Sequence, residues 1–213
     1  MKLRELSVQT VPRHKHQKSF NSGVWCIQEM YWCQLKDLKT KNIAKIVLIL
    51  GDDKPQRKFG NIRSIYRSFD FEKYFKAQNY ERKRIILNLL HKELLALCDE
   101  QELNKEKIES AYKYCIDNHL EHKWLFKDRY FRSLDSKHYG AMECYWGTDK
   151  FTVTGIIFDK KKNEKFRQLL VEKKPYLGDF IYYSTCGWDD DKFFLQSKEN
   201  ERWEISSMAI PDV

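Results

Sequence analysis

The sequence predicts an α+β protein: an antiparallel β-sheet meander with a packed antiparallel helix pair in the middle of the chain. Three observations carry this prediction. Apolar residues in NYERKRIILNLLHKELLAL (79–97) recur at helical spacing, and a second helical stretch follows after the short link 100–103. Beyond residue 121, runs of strand formers alternate with short turns, the pattern of successive antiparallel hairpins. No Pro-, Gly- or Ser-rich linker and no internal repeat interrupts the chain. The expectation is a single domain, 1–213, made of a basic β segment (1–67), a helical pair (68–121) and a β-meander (122–213).

In order along the chain, residues 24–33 (VWCIQEMYWC) are rich in strand formers and are assigned to a strand, although their alternation is imperfect. Residues 43–50 form a second strand, ended by the turn signal GDDKP, and 61–67 (NIRSIYR) a third. Asp70 can cap a short turn over FEKYF, and Asn79 can cap the long helix. Ile86, Leu89, Leu90, Leu94, Leu97 and Cys98 make its apolar stripe. Arg82, Lys83 and Arg84 stand in its first turn, against the helix dipole. With Glu81 beside them, the expectation is a solvated helix end rather than a phosphate site. A second helix spans about 104–118, with Ile108, Ala111, Tyr112, Cys115 and Ile116 inward. Strands are predicted at 138–146, 150–159, 165–172, 179–185, 192–197 and 202–206, with 186–191 (CGWDDD) as a turn.

Composition narrows the function classes. Aromatics are 15% of 213 residues and charged residues 33%, which suits a folded globular chain rather than a disordered one. No apolar run approaches the roughly 18 residues of a membrane span, and MKLRELSVQTVPRHKHQK lacks a signal-peptide core. No membrane association and a cytoplasmic location are expected. Six dispersed cysteines form no CxxC pair and are expected as reduced structural thiols. Net charge is +8, and residues 1–67 hold the excess, with 14 Lys/Arg against 5 Asp/Glu. Such asymmetry marks a surface for nucleic acid or for an acidic partner.

Signatures of chemistry are missing. Neither GxxxxGK[ST] nor GxGxxG occurs, and no GxSxG elbow. His14 and His16, two apart on an extended segment, and His119 and His122, three apart at a helix end, lack the further ligands that a metal needs. The sequence therefore predicts no catalytic residue, no metal site and no cofactor. Trp188, Asp189, Asp190 and Asp191 stand out as an acidic hairpin tip beside an aromatic anchor, and are the candidate partner-binding residues. The basic first third, with Arg13, Lys15 and Lys18 near Trp25, supports nucleic-acid binding as the alternative.

From about Ser68 onward, SFDFEKYFKAQNYERKRIILNLLHKELLAL, the second helix, and the hairpin stretches TDKFTVTGIIFDKKKNEKF and GDFIYYSTCGWDDDKFFLQSKENERWEIS resemble the small α+β immunity proteins of bacterial polymorphic and contact-dependent toxins. That resemblance implies a non-enzymatic cytoplasmic protein that neutralises a cognate toxin or effector by direct binding. It carries over no functional residue, and the basic first third lies outside it. A phage-encoded inhibitor of a host enzyme is a further alternative.

Overall fold

The structure, a computed structural model, describes residues 1–177 and 182–209. The protein is α+β, with packed helices and antiparallel meanders. Where the sequence predicts one domain, the chain divides into two compact units, Met1–His122 and Lys123–Val213. The division falls in a strand, β5 (His122–Leu125), so no Pro- or Gly-rich stretch marks it.

The first unit runs β1 (Glu5–Thr10), α1 (Gln17–Gln34), β2 (Lys45–Leu50), β3 (Arg57–Phe59), β4 (Ile62–Arg67), α2 (Phe71–Lys76), α3 (Asn79–Ala96), α4 (Cys98–Gln101) and α5 (Lys105–Asp117). Its sheet has the order β1-β2-β4-β3. Both β1 and β4 pair with β2 in parallel, and only β3 is antiparallel. Five of the six residues of β2 are buried, the near-continuous apolar run of a strand covered on both faces.

The stretch 24–33, predicted as a strand, is the body of α1. Phe20, Val24, Ile27 and Tyr31 are all buried, at intervals of four, three and four residues. That is helical spacing, and it outweighs the β propensity of the individual side chains. The polar face of α1 also closes the sheet edge. Gln28 Oε1 accepts from Val8 N–H at 2.8 Å, and Asn21 Oδ1 from Thr10 N–H at 3.1 Å. These bonds occupy two outward donors of edge strand β1, which otherwise invite pairing with another chain.

The cationic turn of α3 is built into the unit rather than left in solvent. Arg82 donates to the carbonyls of Ala77 (2.8 Å) and Phe75 at the end of α2. Lys83 is 3% exposed and donates to Leu120 O and Glu121 Oε1, each at 3.0 Å, just past α5. Only Arg84 remains at the surface, paired with Glu81. Those partners lie far along the chain, so the local pattern contains no sign of them. The predicted Asp70 cap is present, accepting from Lys73 N–H. The predicted Asn79 cap is not: Asn79 is already the first helical residue of α3, and Gln78 at the N-cap position makes no side-chain cap bond. α5 is capped by Asn104, which accepts from Lys107 N–H.

In the second unit, β7 (His138–Trp146), β8 (Phe151–Asp159) and β9 (Glu164–Lys173) form an antiparallel meander, flanked by β5 and by β6 (Phe131–Arg132) on β7. A second meander holds β10 (Tyr183–Asp189), β11 (Lys192–Ser197) and β12 (Arg202–Ser206). The start of the predicted strand 179–185, residues 179–181, lies outside the described residues. Two glycines let the meanders approach. A Cβ on Gly140 would stand 2.5 Å from the Phe193 ring, and one on Gly155 would stand 2.9 Å from Ile205. Among the described residues no helix is long and apolar enough to cross a membrane.

Candidate functional site

The stretch 186–191, predicted as a turn, is mostly strand: β10 continues to Asp189, and Asp189 faces Lys192. Only Asp190 and Asp191 form the tip, with Asp190 in the left-handed region at φ 50°, which aspartate tolerates better than most residues. The strand persists because Trp188 packs across it on Phe193, ring centroids 5.2 Å apart. Its indole Nε1 donates to Phe131 O at 2.8 Å. Phe193 is fully buried over Gly140. Trp188 is thus a fixed ring, held from below and at its polar edge.

The three aspartates have different circumstances. Asp189 pairs with Arg202 at 2.8 Å, and Arg202 also lies over the Phe194 ring. Asp191 Oδ2 accepts from Ser206 Oγ at 2.5 Å, and its backbone carbonyl accepts from Ser207 N–H. Asp190 has no side-chain partner among the described residues.

Facing this tip is the segment between β6 and β7. Ser133 Oγ donates to Asp135 Oδ1 at 2.7 Å and accepts from His138 N–H at 2.9 Å. The Lys137 backbone N–H and the Ser133 hydroxyl hold the Asp135 carboxyl down at about 2. The loop so fixed presents Leu134, which is 72% exposed. His138 Nδ1 is buried without a hydrogen-bond partner.

Two depressions result, and Trp188 and Leu134 border both. One, of about 240 Å³, is lined also by Ser133, Asp135, His138, Asp190 and Asp191. The other, of about 320 Å³, is lined also by Arg129, Tyr130, Arg132 and Gly187. The Arg129 guanidinium lies 4.5 Å from the Phe131 ring centroid. An apolar ridge therefore separates an acceptor-rich depression from a cationic one. Ridge and rims hold Trp, Tyr and Arg, the side chains most often found as interface anchors.

Of the predicted residues, Trp188, Asp190 and Asp191 come together here, while Asp189 is used in an ion pair. Sequence reasoning missed Leu134, His138, Arg129, Tyr130 and Arg132. One signal existed: Leu134 is a lone apolar residue in the polar run RSLDSK.

The other histidines and the cysteines lie elsewhere. His14 and His16 sit in the loop before α1, not on a strand, with rings 5.6 Å apart and the His16 N–H donating to His14 Nδ1. Burial pushes the His122 imidazole down to about 4. Among the described residues no group of three or more His, Cys, Asp or Glu side chains is arranged to hold a metal ion. None of the six cysteines is in a disulfide, and burial pushes Cys26 up to about 11 and Cys115 and Cys186 up to about 12. Comparison of the chain with protein-family models, curated proteins and solved structures finds no match.

Proposed function

We propose that this chain is a non-enzymatic binding protein that neutralises a cognate toxin or effector protein, and that the Trp188 ridge is its recognition surface. The observation that carries this reading is the ridge itself, a rigid Trp188 and an exposed Leu134 between two depressions of opposite character. Trp188 supplies an anchor at low cost in side-chain entropy, since packing on Phe193 and the indole hydrogen bond already hold it, and Leu134 adds exposed apolar surface beside it. Asp190, exposed and without a side-chain partner among the described residues, offers an acceptor to a basic side chain of the toxin. Complementary charge at such a rim raises the association rate, which suits a protein acting before damage is done. A cytoplasmic location belongs to the same reading.

Co-expression with the protein encoded beside it tests the proposal. The expected result is rescue of growth and a complex on size exclusion. Leu134→Asp and Asp190→Lys change surface groups only, and each should weaken that complex tenfold or more while leaving the unfolding midpoint in place. No rescue and no complex would overturn the role, and a complex indifferent to both substitutions would overturn the site.

A further inference from the structure

A third depression, of about 480 Å³, lies in the first unit and is lined by His14, Lys15, Gln17, Lys18, Asn21 and Trp25. Its volume falls in the range of small-molecule sites. β1, β2 and β4 end in register at Thr10, Leu50 and Arg67. The groove follows directly on β1, in the loop that leads into α1, and ligands of parallel sheets gather beyond the carboxyl ends of the strands. Gly51, at φ 108°, lets Phe71 and Val11 pack closely at this end of the sheet, since a Cβ there would meet them at 3.3 and 3.4 Å.

The lining is rich in hydrogen-bond donors. Gln17 Oε1 already accepts from Arg13 N–H at 3.0 Å, and Asn21 Oδ1 from Thr10 N–H at 3.1 Å. Both amide oxygens are thereby turned to the backbone, and both NH₂ groups remain as donors. His14 Nδ1 accepts from His16 N–H at 3.2 Å, which puts the proton of the neutral ring on Nε2. Lys18 Nζ and the Trp25 indole N–H are donors by nature and have no partner among the described residues. Lys15 is paired with Glu72 at 2.9 Å. The first turn of α1 contains no acidic residue of its own, and the carboxylate near this helix end, Glu72, is shared between Lys15 and His16. A groove rich in donors suits a ligand rich in acceptors, and Trp25 adds an aromatic surface.

We infer that this groove binds a phosphorylated nucleoside, its phosphate held by Lys18 and the amides of Gln17 and Asn21 and its base against Trp25. The site is independent of the Trp188 ridge and of the toxin-neutralising role. A free mononucleotide and one unit of a single-stranded nucleic acid present the same chemistry, and titration of the full chain separates them. The probes are fluorescein-labelled oligothymidylate and oligouridylate by anisotropy, and adenosine monophosphate and inorganic phosphate by calorimetry, all at low salt.

Binding of an oligonucleotide or of the mononucleotide is expected, with affinity for an oligonucleotide falling as salt rises. Lys18→Glu should weaken it at least tenfold, and Trp25→Leu at least fivefold, as loss of base stacking does. Lys39→Glu, an exposed lysine outside the groove, should leave it unchanged. Circular dichroism of each variant checks that the fold persists. Oligonucleotide binding without mononucleotide binding assigns the groove to nucleic acid, and the converse assigns it to a free nucleotide. No binding of any nucleotide probe, equal losses in Lys18→Glu and Lys39→Glu, or nucleotide binding indifferent to Trp25→Leu would overturn the inference.

Discussion

On Met1–His122 the groove beside α1 offers donors, whereas on Lys123–Val213 the smaller depression beside Trp188 offers acceptors. Net charge explains only half of this contrast. Residues 1–122 carry 23 Lys/Arg against 16 Asp/Glu, but residues 123–213 are nearly balanced at 16 against 15. What sets the local polarity is which side-chain atoms the backbone has already taken. Backbone N–H groups of Thr10 and Arg13 turn the carbonyl oxygens of Asn21 and Gln17 to the chain, so their NH₂ donors are left over. In the second unit Arg202 takes Asp189, and Lys137 N–H and Ser133 take Asp135, so the Asp190 carboxylate remains. The surface left by one set of bonds is the complement of what those bonds used.

The largest expected effect comes from breaking the first unit where its sheet meets α3. Arg67 at the end of β4 donates Nε and Nη2 to both carboxylate oxygens of Glu93, at 2.8 and 2.7 Å, and Glu93 is 4% exposed. Arg67→Ala leaves that carboxylate buried and unpaired, at a cost of about 3–5 kcal/mol in urea unfolding. The double substitution with Glu93→Leu should recover most of it.

The corresponding break in the second unit is Gly140→Ala. The added Cβ stands 2.5 Å from Phe193 and displaces the ring on which Trp188 rests. Overpacking of this kind costs about 1–3 kcal/mol, visible as a lower melting temperature. It should also weaken any complex made through the Trp188 ridge, while nucleotide binding at the α1 groove is retained.

A smaller effect, of about 2 kcal/mol, separates acid from neutral pH. Burial depresses His122 to about 4, and Lys36 and Lys83 add to it, whereas in the unfolded chain it titrates near about 6.5. The unfolded state therefore binds the extra proton between those values. The stability is present above pH 6.5 and is lost as pH falls toward 4, with about 2 kcal/mol gone by pH 5. Urea midpoints at pH 7 and pH 5 measure this slope, and His122→Gln should flatten it.

The contrast between the units also governs what was legible in advance. β7, β11 and β12 fall on the predicted 138–146, 192–197 and 202–206, and β8 and β9 within one residue at each end. Hairpin strands pair with sequence neighbours, so turn residues and alternation carry nearly all the needed information. α3 and α5 were legible for the same reason, through apolar stripes at 3.6 spacing. In the first unit the partners are remote. β1 pairs with β2 across the whole of α1, and the helical α1 was hidden behind β-branched and aromatic residues. At the candidate site, Trp188 and the aspartates were visible as an aromatic beside a charge run. Leu134, His138 and Arg129 reach the same place only through pairing of β6 with β7 and packing of Gly140 on Phe193.

By itself, then, the chain determined its α+β class, its hairpins, its central helices and the basic bias of its first third, because each of these depends on local spacing and composition. Only the tertiary structure decided that the first sheet is mainly parallel and that Lys83 is buried. Likewise, only there do Asn21 and Gln17 show donors, and do two depressions flank Trp188. The physical reason is common to all of these. A hydrogen bond between residues distant in sequence decides which atoms remain for a ligand, and no local pattern records which partner will use them.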